Sequence, residues 1–295
     1  RYDVSAMQER TLRHPAWIHF GAGNIFRAFL AAAQQTLLNA GCTDTGIVAA
    51  ASHNFSAATE GYTPYDNLSL LVRMHADGSC DREVIGSVAG CLKADWQDGD
   101  WQTLTRMFRD PALQMVSFTI TEKGYALTDL SGRTLPVAEH DFAAGPDAPR
   151  HTMSIAAALL YRRFQAGGHP IAMVSMDNCS HNGEKLRASV MEIVAAWVKN
   201  GLVPADFEAY VNDEARVSFP WSMIDKITPR PAEIIEKQLM DAGFEDMQPV
   251  ITSRNTYIAP FVNAEVPQYL VVEDRFPNGR PALDKAGVYL CDRKT

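Results

Sequence analysis

A short apolar run followed at once by two closely spaced glycines constrains the fold of this chain more than any other feature. Residues 16–20 are apolar apart from one histidine, and Gly21 and Gly23 follow directly. Apolar residues at helical spacing then run through 25–40, and a second apolar run occupies 46–51. Strand, glycine turn, helix and strand in this order predict a βαβ unit of a parallel sheet.

The same alternation continues to about residue 200. Asp77-Gly78 between the apolar runs 68–75 and 82–88 is typical of a hairpin turn, which predicts an antiparallel insertion. We therefore expect an α/β fold with a mostly parallel sheet and an antiparallel hairpin insertion. Apolar periodicity predicts strands at 114–120 and 170–175, a helix between them, and a further helix at 184–199.

Prolines break the chain into short pieces beyond residue 200. A helix is predicted over 231–242, and a last strand over 268–273. We expect this C-terminal third to wrap around or complete the sheet, because no independent domain is evident in it.

The composition excludes several classes of protein. With 46% hydrophobic and 21% charged residues, the chain can form a large core, so disorder is excluded. A net charge of −8 argues against nonspecific binding to nucleic acid. No run approaches the roughly 20 apolar residues of a membrane span. The five cysteines are scattered and form no Cys-x-x-Cys pair, so we expect free thiols and a cytoplasmic location.

The glycine turn predicts a dinucleotide site. Gly21 allows the tight turn, and Gly23 lets the backbone approach a pyrophosphate at the N-terminus of the helix. Phe26 occupies the place of the third glycine in the usual fingerprint, so a glycine turn without a ligand is the alternative. The residues expected to bind the cofactor at this turn are Gly21, Gly23, Asn24, Ile25 and Arg27.

The end of the second strand leaves the choice between NAD and NADP open. An acidic residue that binds the adenosine ribose is expected there, but the chain has Ser52-His53-Asn54. These side chains suit either a ribose hydroxyl or a 2′-phosphate, and a plain surface loop is the alternative.

Two polar loops follow later strands, where ligands bind in open α/β sheets. Thr121, Glu122 and Lys123 follow the strand at 114–120, and an ordinary charged turn is the alternative. Asn178 follows the strand at 170–175, and its amide is suited to donate to a carbonyl oxygen that gains negative charge. Cys179 with His181 allows a thiol nucleophile as an alternative. The His, Asp and Glu residues have no metal-ligand spacing, so no zinc-dependent dehydrogenase is predicted.

Two charged segments complete the set of candidates. Asp225 lies in an apolar stretch, where a carboxylate needs a partner, and an ion pair with Lys226 or an arginine is the structural alternative. The loop 273–281, which includes Arg280, either binds an acidic substrate or is solvated.

Together these segments resemble the mannitol dehydrogenase family of polyol-specific long-chain dehydrogenases. They occur in the family's order and cover nearly the whole chain. The branch that they resemble most is fructuronate reductase, also called D-mannonate oxidoreductase; tagaturonate reductase and the mannitol and arabinitol dehydrogenases are close to it. The matching stretches are His19–Arg27, Thr121–Tyr125, Asp177-Asn178, Asn182-Gly183, Ser222–Pro229 and Glu273–Pro281.

The resemblance implies a Rossmann-type, doubly wound fold and metal-independent hydride transfer with NAD, while NADP is not excluded. The reaction would interconvert a ketose or keto sugar acid with the polyol or sugar acid, with fructuronate and mannonate favoured. It implies these roles: catalytic Asn178 and Asp225; cofactor-binding Gly21, Gly23, Asn24, Ile25, Arg27, Ser52, Thr121, Glu122, Lys123 and Asn178; substrate-binding Asp177, Lys226 and Arg280.

The chain departs from the family in one respect. The family's catalytic lysine lies in a Lys-x-x-x-x-Asn-x-x-His segment of a helical second domain, and no lysine of this chain fits that pattern. We therefore expect a dinucleotide-binding domain over 1–285, with its core in 14–200 and a completing segment in 201–285. Residues 286–295 would begin a linker to a helical substrate domain. Two alternatives are a catalytically incompetent dinucleotide-binding module and an S-adenosylmethionine methyltransferase, which leaves the later segments unexplained.

Overall fold

At the centre of the fold lies a six-stranded sheet in which all neighbouring strands are parallel. The computed structural model describes residues 2–230, 232–251 and 257–292. The helices are α1 (Val4–Arg13), α2 (Ala31–Asn39), α3 (Asp100–Arg109), α4 (Pro136–Ala144), α5 (Thr152–Gln165), α6 (Asn182–Lys199), α7 (Ala205–Asn212) and α8 (Glu233–Asp241).

The strands vary in length from two to six residues. In chain order they are β1 (Trp17–Phe20), β2 (Ile47–Ala51), β3 (Ser69–Met74), β4 (Cys80–Ile85), β5 (Val88–Lys93), β6 (Met115–Phe118), β7 (Ile171–Ser175), β8 (Val217–Ser218), β9 (Ser222–Lys226), β10 (Val250–Ile251), β11 (Tyr257–Ile258), β12 (Phe261–Glu265), β13 (Gln268–Glu273) and β14 (Tyr289–Cys291).

The strand order of the central sheet is β5-β2-β1-β6-β7-β8. The chain runs outward from β1 to β2 and β5, then returns to the other side of β1 to place β6. In register, Ile18 of β1 lies beside Val48 of β2 and Val116 of β6. Strand order therefore reverses between β1 and β6, which is where doubly wound sheets open a crevice for ligands. The predicted α/β, Rossmann-type fold is confirmed.

The two faces of the sheet are covered by different parts of the chain. Parallel strands buried on both faces are largely apolar, as the sequence runs predicted. On β1, Ile18 and Phe20 pack among side chains of α3, α5, α6 and α7. Trp17, on the opposite face, packs with the segment that begins α2 and with residues of β12 and β13.

The helix predicted over 25–40 is not α-helical throughout. Phe26–Leu30 form a π-helical turn, and the α-helix α2 follows it. All five residues of this turn are buried. The wider turn accommodates consecutive inward side chains, Phe26 and Arg27, at the point where the helix meets β1.

The predicted hairpin is present as the antiparallel pair β3 and β4. The prediction that its second strand reaches residue 88 is wrong, because β4 ends at Ile85 and Val88 begins β5 at the edge of the central sheet. The outer edge of β3 is not exposed. Strand β12 pairs with it in parallel, with Val262 beside Leu71.

The C-terminal third adds only β8 to the central sheet. Strands β9, β13 and β14 form a separate three-stranded sheet, and β14 follows β13, so 268–273 is not the last strand. Apolar side chains of this third, Leu270 and Val272 among them, bury the second face of the central sheet. In the described ranges no helix combines the length and apolar composition needed to cross a membrane.

Candidate functional site

A cleft of about 640 Å³ opens at the carboxyl ends of β1, β2 and β6. Its size is in the range of roughly 300–1,000 Å³ that small-molecule sites occupy. The structure thus brings together most of the residues expected to bind a cofactor. Those that line the cleft are Gly21, Gly23, Asn24, Arg27, Ser52, Thr121 and Lys123.

The two glycines have different roles in the turn. Gly21 has φ +121°, and a Cβ there would lie 2.7 Å from Thr119 Oγ1 and closer still to the Thr119 carbonyl oxygen. No other residue fits without moving Thr119, which follows β6. A Cβ on Gly23 would meet no atom within 4 Å. The absence of a side chain at Gly23 therefore opens space above the backbone, as close approach of a phosphate requires.

A buried arginine lies behind this turn. Arg27 is fully buried; its Nη1 donates to the Ala259 carbonyl at 2.6 Å, and its Nη2 donates to Asn24 Oδ1 at 2.8 Å. Its Nε has no hydrogen-bond partner among the described residues, and burial lowers the pKa of Arg27. No described carboxylate pairs with this guanidinium, so an anion in the cleft would be stabilised by it.

A polar network under the turn was not found by sequence reasoning. His19 contacts Ser117 Oγ through Nδ1 at 2.6 Å and Thr119 Oγ1 through Nε2 at 2.8 Å. Its ring stacks on Phe26 with centroids 4.4 Å apart. Burial lowers the pKa of His19 to about 3, so the imidazole is neutral at physiological pH. This network fixes Thr119, which packs against Gly21.

The segment after β2 contacts the start of α5 through side-chain hydroxyls. Ser52 Oγ lies 3.0 Å from Thr152 Oγ1, and His151 caps α5 by accepting the Met153 N–H at 3.1 Å. Burial lowers the pKa of His151. Arg150 is exposed and also lines the cleft. None of the described lining residues is Asp or Glu.

The loop after β6 is held by a carboxylate from the loop after β7. Asp177 accepts hydrogen bonds from the N–H groups of Ile120 and Thr121, both at 2.9 Å, and from the Tyr125 hydroxyl at 2.6 Å. Burial is the main cause that raises the pKa of Asp177. The neighbouring Asn178 is exposed, does not line the cleft, and makes no hydrogen bond with its side chain among the described residues.

Besides Asn178, two further expected cofactor residues do not line the cleft. Ile25 packs against the apolar cluster on the second face of the sheet. Glu122 is exposed and forms an ion pair with Lys185 of α6. The cofactor roles predicted for Ile25, Glu122 and Asn178 stay predictions.

The substrate residues expected in the C-terminal third lie apart from the cleft lining. Asp225 is exposed on β9, whereas the neighbouring Lys226 is buried, so the suggested ion pair between them is wrong. Adjacent residues of a strand point to opposite faces. Lys226 donates to the Glu265 carbonyl, and burial lowers its pKa to about 8. The roles predicted for Asp225 and Lys226 stay predictions.

Arg280 forms part of a surface ion-pair network. Its Nε lies 2.9 Å from Asp274 Oδ1, and its Nη1 lies 2.9 Å from Asp284 Oδ1. Arg280 therefore stabilises the loop after β13, and its predicted substrate contact stays a prediction. The thiol alternative is not supported, because burial raises the pKa of Cys179 and the His181 ring packs on Trp221.

Comparison with known proteins gives consistent matches. The Mannitol dehydrogenase Rossmann domain profile matches residues 15–285. The D-mannonate oxidoreductase of Thermotoga maritima is 48% identical over 296 residues, which cover 100% of this chain and 54% of that protein. The polyol:NADP oxidoreductase of Gluconobacter oxydans is 30% identical over 299 residues, with coverage of 100% and 56%.

A solved structure agrees with these sequence matches. The Pseudomonas fluorescens mannitol 2-dehydrogenase, in a ternary complex with NAD and D-mannitol, is similar with a TM-score of 0.79 at 29% identity. The match covers 100% of this chain and 55% of that one. The chain spans about half the length of the relatives it matches. Since the family profile extends over most of the residues and the resemblance seen in the motifs is confirmed, the chain belongs to the mannitol dehydrogenase family.

Proposed function

We propose that this chain is the cofactor domain of an NAD-linked dehydrogenase that interconverts a keto sugar acid or ketose with the corresponding sugar acid or polyol. Fructuronate and mannonate are the favoured pair. The glycine turn carries this proposal: Gly21 fits only as glycine, Gly23 leaves open space, and the unpaired charge of Arg27 lies behind both. These three features suit a pyrophosphate at the strand-order reversal.

Different residues of the cleft would bind different parts of the cofactor. The backbone at Gly23 and Asn24, with the positive charge of Arg27, would hold the pyrophosphate. Ser52 at the end of β2 would bind the adenosine ribose, and Thr121 with Lys123 would line the nicotinamide half. The nicotinamide ring, when bound, supplies the position that accepts or gives the hydride.

The absence of a carboxylate at the end of β2 leaves room for either dinucleotide. An acidic residue there would repel a 2′-phosphate, whereas the exposed Arg150 guanidinium would attract one. NAD is favoured by the mannitol 2-dehydrogenase complex, and the Gluconobacter relative named for NADP keeps that cofactor open.

The substrate carbonyl would lie near Asn178, whose exposed amide is available to donate to an oxygen that gains charge. Asp225, Lys226 and Arg280 are the further residues proposed for catalysis or substrate contact. No Lys-x-x-x-x-Asn-x-x-His segment occurs in the 295 residues. We propose that a helical second domain supplies the proton donor, which the greater length of the relatives supports.

Two rival functions are compared with this one. The mannitol 2-dehydrogenase match at TM-score 0.79 favours a polyol dehydrogenase as the second candidate. A catalytically incompetent module that binds dinucleotide is the other candidate. The 48% identity with a protein named D-mannonate oxidoreductase supports the sugar-acid reaction over both.

The test is NADH and NADPH oxidation by the protein expressed from its whole gene, with fructuronate, tagaturonate and fructose in parallel. The 295-residue chain is assayed beside it. Rapid oxidation with fructuronate by the whole protein alone is the expected result. A preference for fructose would favour the polyol dehydrogenase. Dinucleotide binding without turnover on any ketose would favour the incompetent module.

The role of Asn178 has its own measurement in the whole protein. We expect Asn178→Ala to lower kcat about 10²–10³-fold, as loss of an oxyanion donor does, while the dinucleotide Kd changes less than about threefold. Equal losses in both quantities would contradict the proposed role.

A further inference from the structure

Thr121 has a backbone conformation that side chains rarely adopt. Its φ is +65° and its ψ is 159°, in a region populated almost only by glycine. A β-branched residue is especially unfavourable there. Such a conformation persists only where the surrounding structure enforces it. Thr121 lines the cleft in the loop after β6, so the enforcing contacts act at the site itself.

The enforcing contacts come from one carboxylate. Asp177 Oδ1 accepts the Thr121 N–H, and Asp177 Oδ2 accepts the Ile120 N–H, each at 2.9 Å. Both successive amides are thus bound to the two oxygens of a single side chain, which fixes the peptide between them. Asp177 follows β7, so the contact joins the carboxyl ends of two neighbouring strands.

Tyr125, which lies in the loop after β6 with Thr121, supplies a third contact to Asp177. The Tyr125 hydroxyl donates to Asp177 Oδ2 at 2.6 Å, and burial keeps its pKa far above the usual range, so it stays a donor. Ser175 Oγ lies 2.7 Å from that hydroxyl and is left to donate to it. Among the described residues no cation pairs with Asp177. The carboxylate is stabilised by three hydrogen-bond donors, two backbone N–H groups and the Tyr125 hydroxyl, all from the loop after β6.

We infer that Asp177 is a positioning residue that holds Thr121 in its strained conformation and so shapes the nicotinamide end of the cleft. The inference rests on the proposed function for its effect on cofactor binding. It differs from the substrate contact expected for Asp177, because both carboxylate oxygens already bind the loop after β6. The Asn178 amide, one residue on, is placed by the same contact.

The experiment compares Asp177→Asn, Thr121→Gly and the double variant in the whole protein. Asparagine places an NH₂ group opposite an N–H donor, so the loop should be released. We expect backbone amide exchange at Ile120 and Thr121 to accelerate about tenfold or more, and the Kd for NADH to rise about tenfold. Asp110→Asn is the matched control, because Asp110 holds the Ala112 N–H at 2.8 Å at the opposite end of β6.

The double variant separates positioning from other roles. Glycine adopts positive φ without strain, so adding Thr121→Gly should recover at least about fivefold of the NADH affinity lost in Asp177→Asn. Normal NADH affinity with a raised substrate KM in Asp177→Asn would instead show a direct substrate contact. Unchanged amide exchange would overturn the inference whatever the ligand does. Failure of the unmodified protein to bind any dinucleotide would overturn the proposed function and leave the exchange result decisive.

Discussion

At the scale of single residues, Gly21 and Gly23 allow a matched pair of substitutions. Gly21→Ala requires an L-residue at φ +121° with its Cβ against Thr119. We expect it to lower the free energy of unfolding by about 2–4 kcal/mol. Gly23→Ala meets no atom within 4 Å, so its stability should change by less than about 1 kcal/mol. Urea denaturation measures both.

Dinucleotide binding should distinguish the same two variants further. Gly23→Ala places a methyl group where the pyrophosphate approaches, so its Kd should rise about tenfold or more despite normal stability. Unchanged affinity in Gly23→Ala would mean that the phosphate does not lie over this turn.

His19 makes stability depend on pH. Its pKa is about 3 in the folded protein against an ordinary 6.5, so the unfolded chain binds the extra proton between these values. The contribution of this residue is complete above pH 6.5 and is lost as the pH falls towards 3. We expect it to account for about 1 kcal/mol per pH unit between pH 6 and 5. Denaturant titrations at each pH, compared with His19→Gln, measure the slope.

The control for this measurement is His169→Gln, at a partly exposed histidine outside the cleft lining. It should retain the slope of the unmodified protein. An equal slope in His19→Gln would show that other groups cause the acid sensitivity.

Sequence patterns identify part of this site and miss the rest for a physical reason. Gly21, Gly23 and Arg27 are near neighbours in the chain, so a local pattern can predict that they belong to one turn. His19 meets Ser117 only through the register of β1 with β6, nearly one hundred residues apart. The partners of Asp177 depend likewise on the pairing of β6 with β7. Contacts of this kind are set by the assembled sheet.

At the scale of elements, the apolar strands β1, β2, β6 and β7 and the helices α2, α5, α6 and α8 were predictable, because burial imposes a clear pattern on them. The helices α1, α3, α4 and α7 were not predicted. The π-helical turn at Phe26–Leu30 was not predictable, since the spacing of its apolar residues fits an α-helix equally well. The short strands of the C-terminal third, such as β8 and β14, carry too few residues for a period to show. Their pairing depends on partners that only the folded molecule brings near.

One buried side chain joins several of these elements. The Arg163 guanidinium on α5 donates to five backbone carbonyls at 2.7–2.9 Å. One acceptor lies at the end of α3, two lie in the segment after α3, and two lie in the segment before β7. These acceptors belong to Phe108, Asp110, Leu113, His169 and Pro170. Five donors in a fixed plane are a property of arginine that lysine lacks.

Arg163→Lys should therefore lower the free energy of unfolding by about 3–5 kcal/mol, because several buried carbonyls lose their donors. The adjacent Arg162 pairs with the exposed Asp147, so Arg162→Lys should cost less than about 1 kcal/mol. Urea denaturation of the two variants gives the comparison. Similar losses in both would show that the carbonyls are satisfied in another way.

At the scale of the whole molecule, the C-terminal third covers one face of the central sheet. Removing residues 201–295 would expose the apolar side chains that Val262, Leu270 and Val272 now bury. We expect a fragment ending at residue 200 to show no cooperative thermal transition by calorimetry. The 295-residue chain should show one. A cooperative transition in the fragment would mean that residues 2–200 form a core that is sufficient alone.

The parallel pairing of β3 with β12 has a consequence for the order of events on the ribosome. The two strands are separated by roughly 190 residues of chain. At a synthesis rate of about 5–20 residues per second, β12 is completed on the order of 10–40 s after β3. During that interval its hydrogen-bonding edge is open to other nascent chains. Slower translation should therefore favour aggregation of this protein, and a chaperone that shields β3 should counteract it.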